Sequence, residues 1–214
     1  TLIGAEKTEE FYSNWRNNFV TKQDVDAIAN FGFNSIRLPM HYNLFTLPIE
    51  QEPVAGENTW LDTGFKMVDE LLSWCESNQI YLILDLHAAP GGQGKDAAIS
   101  DYDDEKPSLW ESEANKTKTV ELWKKLSERY KAEPWIAGYD LINEPAWNLP
   151  GGTALRDIYG RLTNVIRGNS DNHILFIEGN WYSNDYTGLT PAWDPNMVYV
   201  FHKYWSNATS EDIK

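Results

Sequence analysis

Residues 138–145 read Gly138-Tyr139-Asp140-Leu141-Ile142-Asn143-Glu144-Pro145, an apolar run of strand length that sets an amide beside a carboxyl and then stops. Proline donates no backbone hydrogen bond, so sheet pairing ends there and Glu144 is directed past the sheet. A carboxyl held rigidly at a strand end beside a neutral amide suits general acid catalysis on an uncharged substrate. An ordinary strand followed by a turn would carry the same residues, so the surrounding chain must decide.

Apolar runs of strand length recur at 35–39, 80–87, 137–143, 173–178 and 197–202. Helical periodicity fills the gaps between them. Segment 61–77 sets Phe65, Val68, Leu72 and Cys75 on one face, 114–130 does so with Val120, Trp123, Leu126 and Tyr130, and 153–167 with Leu155, Ile158, Leu162, Val165 and Ile166. Before the first strand, Thr21-Lys22-Gln23-Asp24 caps a helix carrying Val25, Ile28 and Ala29, which Gly32 ends. The strands are continuously apolar, as in a sheet covered by helices. With no linker, repeat or low-complexity stretch, residues 1–214 read as one α/β unit.

An open doubly wound sheet and a (β/α)8 TIM barrel both fit this alternation. Polar candidates at the strand ends favour the barrel: Arg37, His87, Asn143 with Glu144, Glu178, and His202 with Tyr204. A barrel gathers every strand end around one mouth, whereas an open sheet gathers them only near its switch point. Five strands do not close an eight-stranded barrel, and the helix before residue 35 implies an earlier strand. The expectation is a partial barrel supplying roughly strands two to six, without the first strand and the last two.

Composition narrows the ligand. A formal net charge of −14 and a pI near 4.6 would repel nucleic acid. No run of about 18 apolar residues exists to cross a membrane, and the N-terminus shows no signal peptide. Ten Trp and eleven Tyr exceed what a core of this size needs, and flat aromatic faces suit the C–H faces of sugar rings. Trp110, Trp147, Trp181, Trp193 and Trp205 follow strand ends and are candidate sugar platforms, any of which could instead be packing. Cys75, the single cysteine, reads as core. Asn115-Lys116-Thr117 and Asn207-Ala208-Thr209 match the glycosylation sequon.

Individual side chains admit more than one role. Arg37 lies in an otherwise apolar strand, so a carboxylate must meet it, either as a structural ion pair or as an active-site carboxylate kept ionised. Asp85 and His87 alternate like metal ligands, but no second ligand pair accompanies them, and no metal is expected. The loop through Gly94-Lys95 falls short of a phosphate loop: Ala89 stands at its first glycine, Asp96 at its Ser/Thr, and acidic residues follow. His202 and Tyr204 share a side if the strand continues. Glu178 is a candidate second carboxylate whose separation from Glu144 could be too short to admit a sugar.

Arg37 in Ser-Ile-Arg-Leu-Pro, His87 in Asp-Leu-His-Ala-Ala-Pro-Gly-Gly, Asn143-Glu144-Pro145 and His202-Lys203-Tyr204 occur in order at the ends of strand segments. Together they resemble glycoside hydrolase family 5, the cellulase-like family, over nearly the whole chain. The resemblance implies a retaining hydrolase with Glu144 as acid/base and Asn143 on the sugar 2-hydroxyl. It implies that the histidines and Tyr204 line the subsite of cleavage, and that Arg37 and Tyr204 hydrogen-bond the nucleophile. That glutamate, on strand seven, would lie beyond Lys214, so residues 1–214 alone are expected to be inactive. Glu178 becomes a substrate-lining or structural carboxylate, and Trp147, Trp181 and Trp205 are expected to bind substrate. No cofactor is implied.

The partner expected is a β-glucan or related oligosaccharide, with a C-terminal segment or second chain completing the barrel, in a secreted or periplasmic protein. An endo-β-1,4-glucanase is the favoured activity. A β-1,3-glucanase or β-mannanase is the alternative, and a non-catalytic sugar-binding relic the reading from another class.

Overall fold

The computed structural model describes residues 4–204. Five parallel strands form one sheet in the order of the chain: β1 (Ser35–His41), β2 (Tyr81–Ala88), β3 (Ile136–Asp140), β4 (Ile174–Glu178) and β5 (Met197–Val200). The helices are α1 (Ala5–Asn18), α2 (Lys22–Asn30), α3 (Asp62–Asn78), α4 (Glu113–Tyr130) and α5 (Thr153–Gly168). α3, α4 and α5 return the chain from one strand to the next. Parallel neighbours in chain order, the first four strands joined by helices, make this part of a (β/α)8 barrel.

The helices form where the apolar periodicity placed them and bury the faces it named. Phe65, Val68, Leu72 and Cys75 of α3 are buried, as are Val120, Trp123, Leu126 and Tyr130 of α4 and Leu155, Ile158, Leu162 and Ile166 of α5. Each such aliphatic side chain withdraws about 1.5–3 kcal/mol worth of apolar surface from water. α2 starts at Thr21, whose backbone N–H donates to the Asp24 carboxylate at 2.7 Å. α1 was not foreseen; its apolar side chains Phe11, Tyr12 and Trp15 lie exposed, and no residue of it is buried.

Strand lengths differ from the sequence reading in ways that matter at the site. β1 runs on to His41, so Arg37 is mid-strand and not at its end. β3 stops at Asp140 and β5 at Val200, so Asn143, Glu144, His202 and Tyr204 sit on the segments that leave the sheet. Those segments are still tied down. The Leu141 N–H donates to Phe176 O at 3.3 Å and the Asn143 N–H to Leu86 O at 3.1 Å. From α4, Trp123 Nε1 donates to Leu141 O at 2.9 Å, and from α5 the Tyr159 hydroxyl donates to Glu178 O at 2.9 Å. β3 and β4 approach closely enough that a Cβ on Gly138 would stand 2.3 Å from Ile174 O.

Candidate active site

Arg37 is the hub of the strand ends. Its Nη1 meets Asp85 Oδ2 at 2.9 Å, and its Nε and Nη2 donate to Asp140 Oδ2 at 2.9 and 2.7 Å. Nη2 also reaches Asn143 Oδ1 at 2.8 Å and Glu178 Oε1 at 3.1 Å. Three carboxylates of this chain, from β2, β3 and β4, thus answer the partly buried guanidinium, and none of them was named from the sequence as its partner. Burial disfavours the charged guanidinium, but the three carboxylates outweigh it and strengthen its hold on the proton. Burial pushes Asp140 well above the ordinary carboxylate range, aided by the charges of Glu178 and Asp85 and opposed by Arg37. Asp85 is pushed up chiefly by burial, against the pull of His87 and Arg37.

Glu144 leaves β3 in a left-handed backbone conformation, φ 42°, which costs a non-glycine residue about 1–3 kcal/mol. Its N–H donates to Glu178 Oε2 at 2.7 Å, and its Oε1 is bonded to His202 Nδ1. His202 Nε2 lies 3.3 Å from Glu178 Oε1, so one imidazole bridges two carboxylates. Hydrogen bonding to Glu178 raises the His202 pKa to about 9, with burial opposing and Glu144 assisting.

One chain of contacts therefore joins Arg37, His87, Asn143, Glu144, Glu178 and His202. His87 enters it through Nδ1, 2.8 Å from Asp85 Oδ2, and keeps part of its ring exposed. Tyr204 is solvent-exposed and meets His202 edge to face. Asn143 is covered; its Oδ1 accepts from Arg37, and its Nδ2 is a buried donor without a partner.

Several expected roles change. Glu178, expected as a substrate-lining or structural carboxylate, is fully buried with both oxygens engaged, and touches Glu144 and His202. Trp110 is no sugar platform, since it is buried and its Nε1 donates to Gln93 O at 2.9 Å. Trp193 packs against Tyr159 and donates to Thr163 Oγ1 at 3.0 Å, with the Arg156 guanidinium 3.7 Å from its ring. Trp147 is partly buried, and the Lys95 ammonium sits 5.0 Å from its ring. Trp181 is half exposed, in a left-handed turn continuing through Tyr182 and Ser183. Trp205 lies outside the described residues, as does Asn207. Asn115, the other sequon asparagine, is buried with Nδ2 donating to Pro107 O at 3.0 Å.

Gln93 is a further residue that the sequence did not single out. Fully buried, its Nε2 contacts the carbonyls of His87, Ile99 and Asn143 at 2.7, 2.8 and 2.9 Å, while its Oε1 accepts from Ala89 N at 3.1 Å. It clamps the segments that carry His87 and Asn143 at one spacing. Among the described residues no group of three or more His, Cys, Asp or Glu is placed to hold a metal ion, and no helix is long and apolar enough to cross a membrane.

The family model described as cellulase (glycosyl hydrolase family 5) matches residues 3–214. A protein named beta-xylosidase from Phanerodontia chrysosporium is 34% identical over 206 residues, covering 95% of this chain and 41% of its own length. Endoglucanase C of Acetivibrio thermocellus is 30% identical, covering 87% of this chain and 50% of its own. A probable glucan 1,3-beta-glucosidase A of Aspergillus clavatus is 27% identical, with 95% and 46% covered. The chain thus spans half or less of the length of these relatives. A crystal structure titled as a glycoside hydrolase superposes with a TM-score of 0.71 at 24% identity, over 86% of this chain and 53% of that one.

Proposed function

The chain belongs to glycosyl hydrolase family 5, and on that premise we propose that the complete protein is a retaining hydrolase of β-linked polysaccharides with Glu144 as its acid/base. The observation that carries this is the setting of Glu144: a nearly buried carboxyl just past a strand end, bonded to His202 and flanked by Asn143. Glu144 gives its proton to the glycosidic oxygen, then takes one from the water that releases the glycosyl-enzyme. A second glutamate, outside residues 1–214, attacks the anomeric carbon, its carboxyl about 5–5.5 Å from that of Glu144, as retention requires. The unpaired Asn143 Nδ2 is the donor we assign to a sugar hydroxyl, and half-exposed Trp181 the surface we assign to a sugar ring.

We favour an endo-β-1,4-glucanase, supported by the similarity to endoglucanase C. Similarity to the glucan 1,3-beta-glucosidase supports a β-1,3-glucan as the second reading. A polymeric substrate that cannot cross a membrane places the enzyme outside the cytoplasm, secreted or periplasmic. The test is a hydrolysis screen of the full-length protein on β-1,4-glucan, β-1,3-glucan, mannan and xylan, beside its Glu144→Gln variant. The variant keeps shape but not the proton, so turnover should fall about 10²–10⁴-fold while sugar binding survives. Near-normal turnover by the variant would assign the acid/base role elsewhere, and no hydrolysis by the unmutated protein would favour a sugar-binding relic.

A further inference from the structure

Among the described residues, Glu178 is the side chain that reaches Glu144 by two routes. Its Oε2 accepts the Glu144 N–H at 2.7 Å, and its Oε1 lies 3.3 Å from the Nε2 of the ring whose Nδ1 bonds Glu144 Oε1. A residue in the left-handed region returns to ordinary backbone unless its surroundings hold it there. Glu178 is placed to do so, and it is itself anchored: Arg37 holds Oε1 from β1 at 3.1 Å, and Tyr159 on α5 holds its carbonyl at 2.9 Å. A ring with a carboxylate at each nitrogen can donate to both only as imidazolium.

We propose that Glu178 is a positioning residue for the acid/base, fixing the Glu144 backbone in its left-handed conformation and aiming the His202 ring at its carboxyl. The proposal rests on the acid/base reading of Glu144. It accounts for a fully buried carboxylate at a strand end, where a substrate-lining role does not.

The charges around the ring give the pH consequence its sign. Facing the cluster are Arg37 from β1, Asp85 and His87 from β2, Asp140 from β3, Glu144 after it, Tyr159 from α5 and Tyr186 after β4. Within that set Glu178 supplies the leading pull that raises His202 to about 9. Its negative charge strengthens the hold of the His202 ring on its proton. Neutralising it releases that proton at lower pH.

Glu178→Gln in the full-length protein preserves size and removes the charge. With histidine labelled, the His202 ring should titrate near 9 in the unmutated protein and about one pH unit or more lower in the variant. Turnover should drop by about tenfold, a part of what a general acid contributes, with KM held within about twofold. The alkaline limb of the pH–rate profile should move toward acid. A His202 midpoint near the ordinary 6.5 in the unmutated protein would overturn the proposal, and needs no variant to fold. A folded variant with unchanged kcat and alkaline limb would also overturn it. Failure of the unmutated protein to hydrolyse any glycan strikes the acid/base reading alone, because the titration still reports whether Glu178 governs the ring.

Discussion

Removing the cation at the hub of the strand ends should produce a stability loss that depends steeply on pH. Arg37→Met keeps the length of the side chain but takes away the partner of Asp85, Asp140 and Glu178. Breaking a buried ion pair by removing one member costs about 3–5 kcal/mol. With the Arg37 side chain 32% exposed, water screens part of this, and about 3 kcal/mol at pH 7 is the expectation. Three carboxylates left together cannot all stay ionised, and Asp140 and Asp85 are already biased toward the protonated form. Their folded pKa values stand above the unfolded ones, so the folded variant binds protons that the unfolded chain does not. Stability then falls as pH rises above about 4. Without Arg37 the folded variant binds one proton more than the unmutated fold, worth about 1.4 kcal/mol per pH unit, so lowering the pH from 7 to 5 should recover up to about 2.8 kcal/mol of the loss. Urea unfolding of the full-length protein and its variant across that range measures the difference, with equal slopes as the check on comparability. A loss that is the same at pH 5 and pH 7 would show that the carboxylates do not hold the charge assigned to them.

Gln93→Leu strips hydrogen bonds from three carbonyls and one N–H in the interior. It should cost about 3 kcal/mol or more, read by urea unfolding, and should lower turnover by loosening the spacing of His87 and Asn143. At the other end of the sheet, burial works against ionisation of Asp171, yet bonds from His173 and Tyr139 leave its carboxyl below the usual range. Burial likewise opposes the charge on His173, and Asp171 overcomes it to raise the ring. The Asp171 contribution is lost as pH falls through its lowered value, and that of His173 as pH rises through its raised one. Asp171→Asn should therefore destabilise most between about pH 4 and 6.5, and a flat pH dependence in unfolding would contradict the pairing. Trp110→Ala should cost about 3–5 kcal/mol, as a buried aromatic does. Trp181→Ala should leave the midpoint nearly unchanged while weakening oligosaccharide binding by calorimetry; the reverse pattern would exchange their roles.

The helices and strands were legible because each apolar face in the sequence is a face buried in the fold. Only α1 escaped, and its apolar side chains Phe11, Tyr12 and Trp15 stay exposed. The need for a partner at Arg37 was legible too, since a guanidinium in an apolar strand demands one. Which partners answer it was not, although Asp85, Asp140 and Glu178 also stand in apolar strands and carried the matching signal. Register supplies what one dimension lacks: Asp85 pairs across to Asp140 in the sheet, a relation invisible in their separation along the chain. Gln93 left no trace, because a clamp between carbonyls depends on how the loops fold and not on any spacing. Tryptophans sorted into packing and exposed groups only by their neighbours, with Trp193 spent on α5 and Trp181 left open.

The sheet whose spatial order is its chain order also has a consequence for biosynthesis. Chains leave the ribosome N-terminus first at about 5–20 residues per second, so each of β2 to β5 emerges to find its sheet neighbour already made. Arg37 lies on β1, and Asp85, Asp140 and Glu178 follow on the next three strands. The cation is thus present before any of its carboxylates is asked to enter the interior. His202 arrives last and bridges two acids already in place. A circular permutant opened before β2, which would deliver the carboxylates ahead of the arginine, should populate an aggregation-prone intermediate that the natural order avoids.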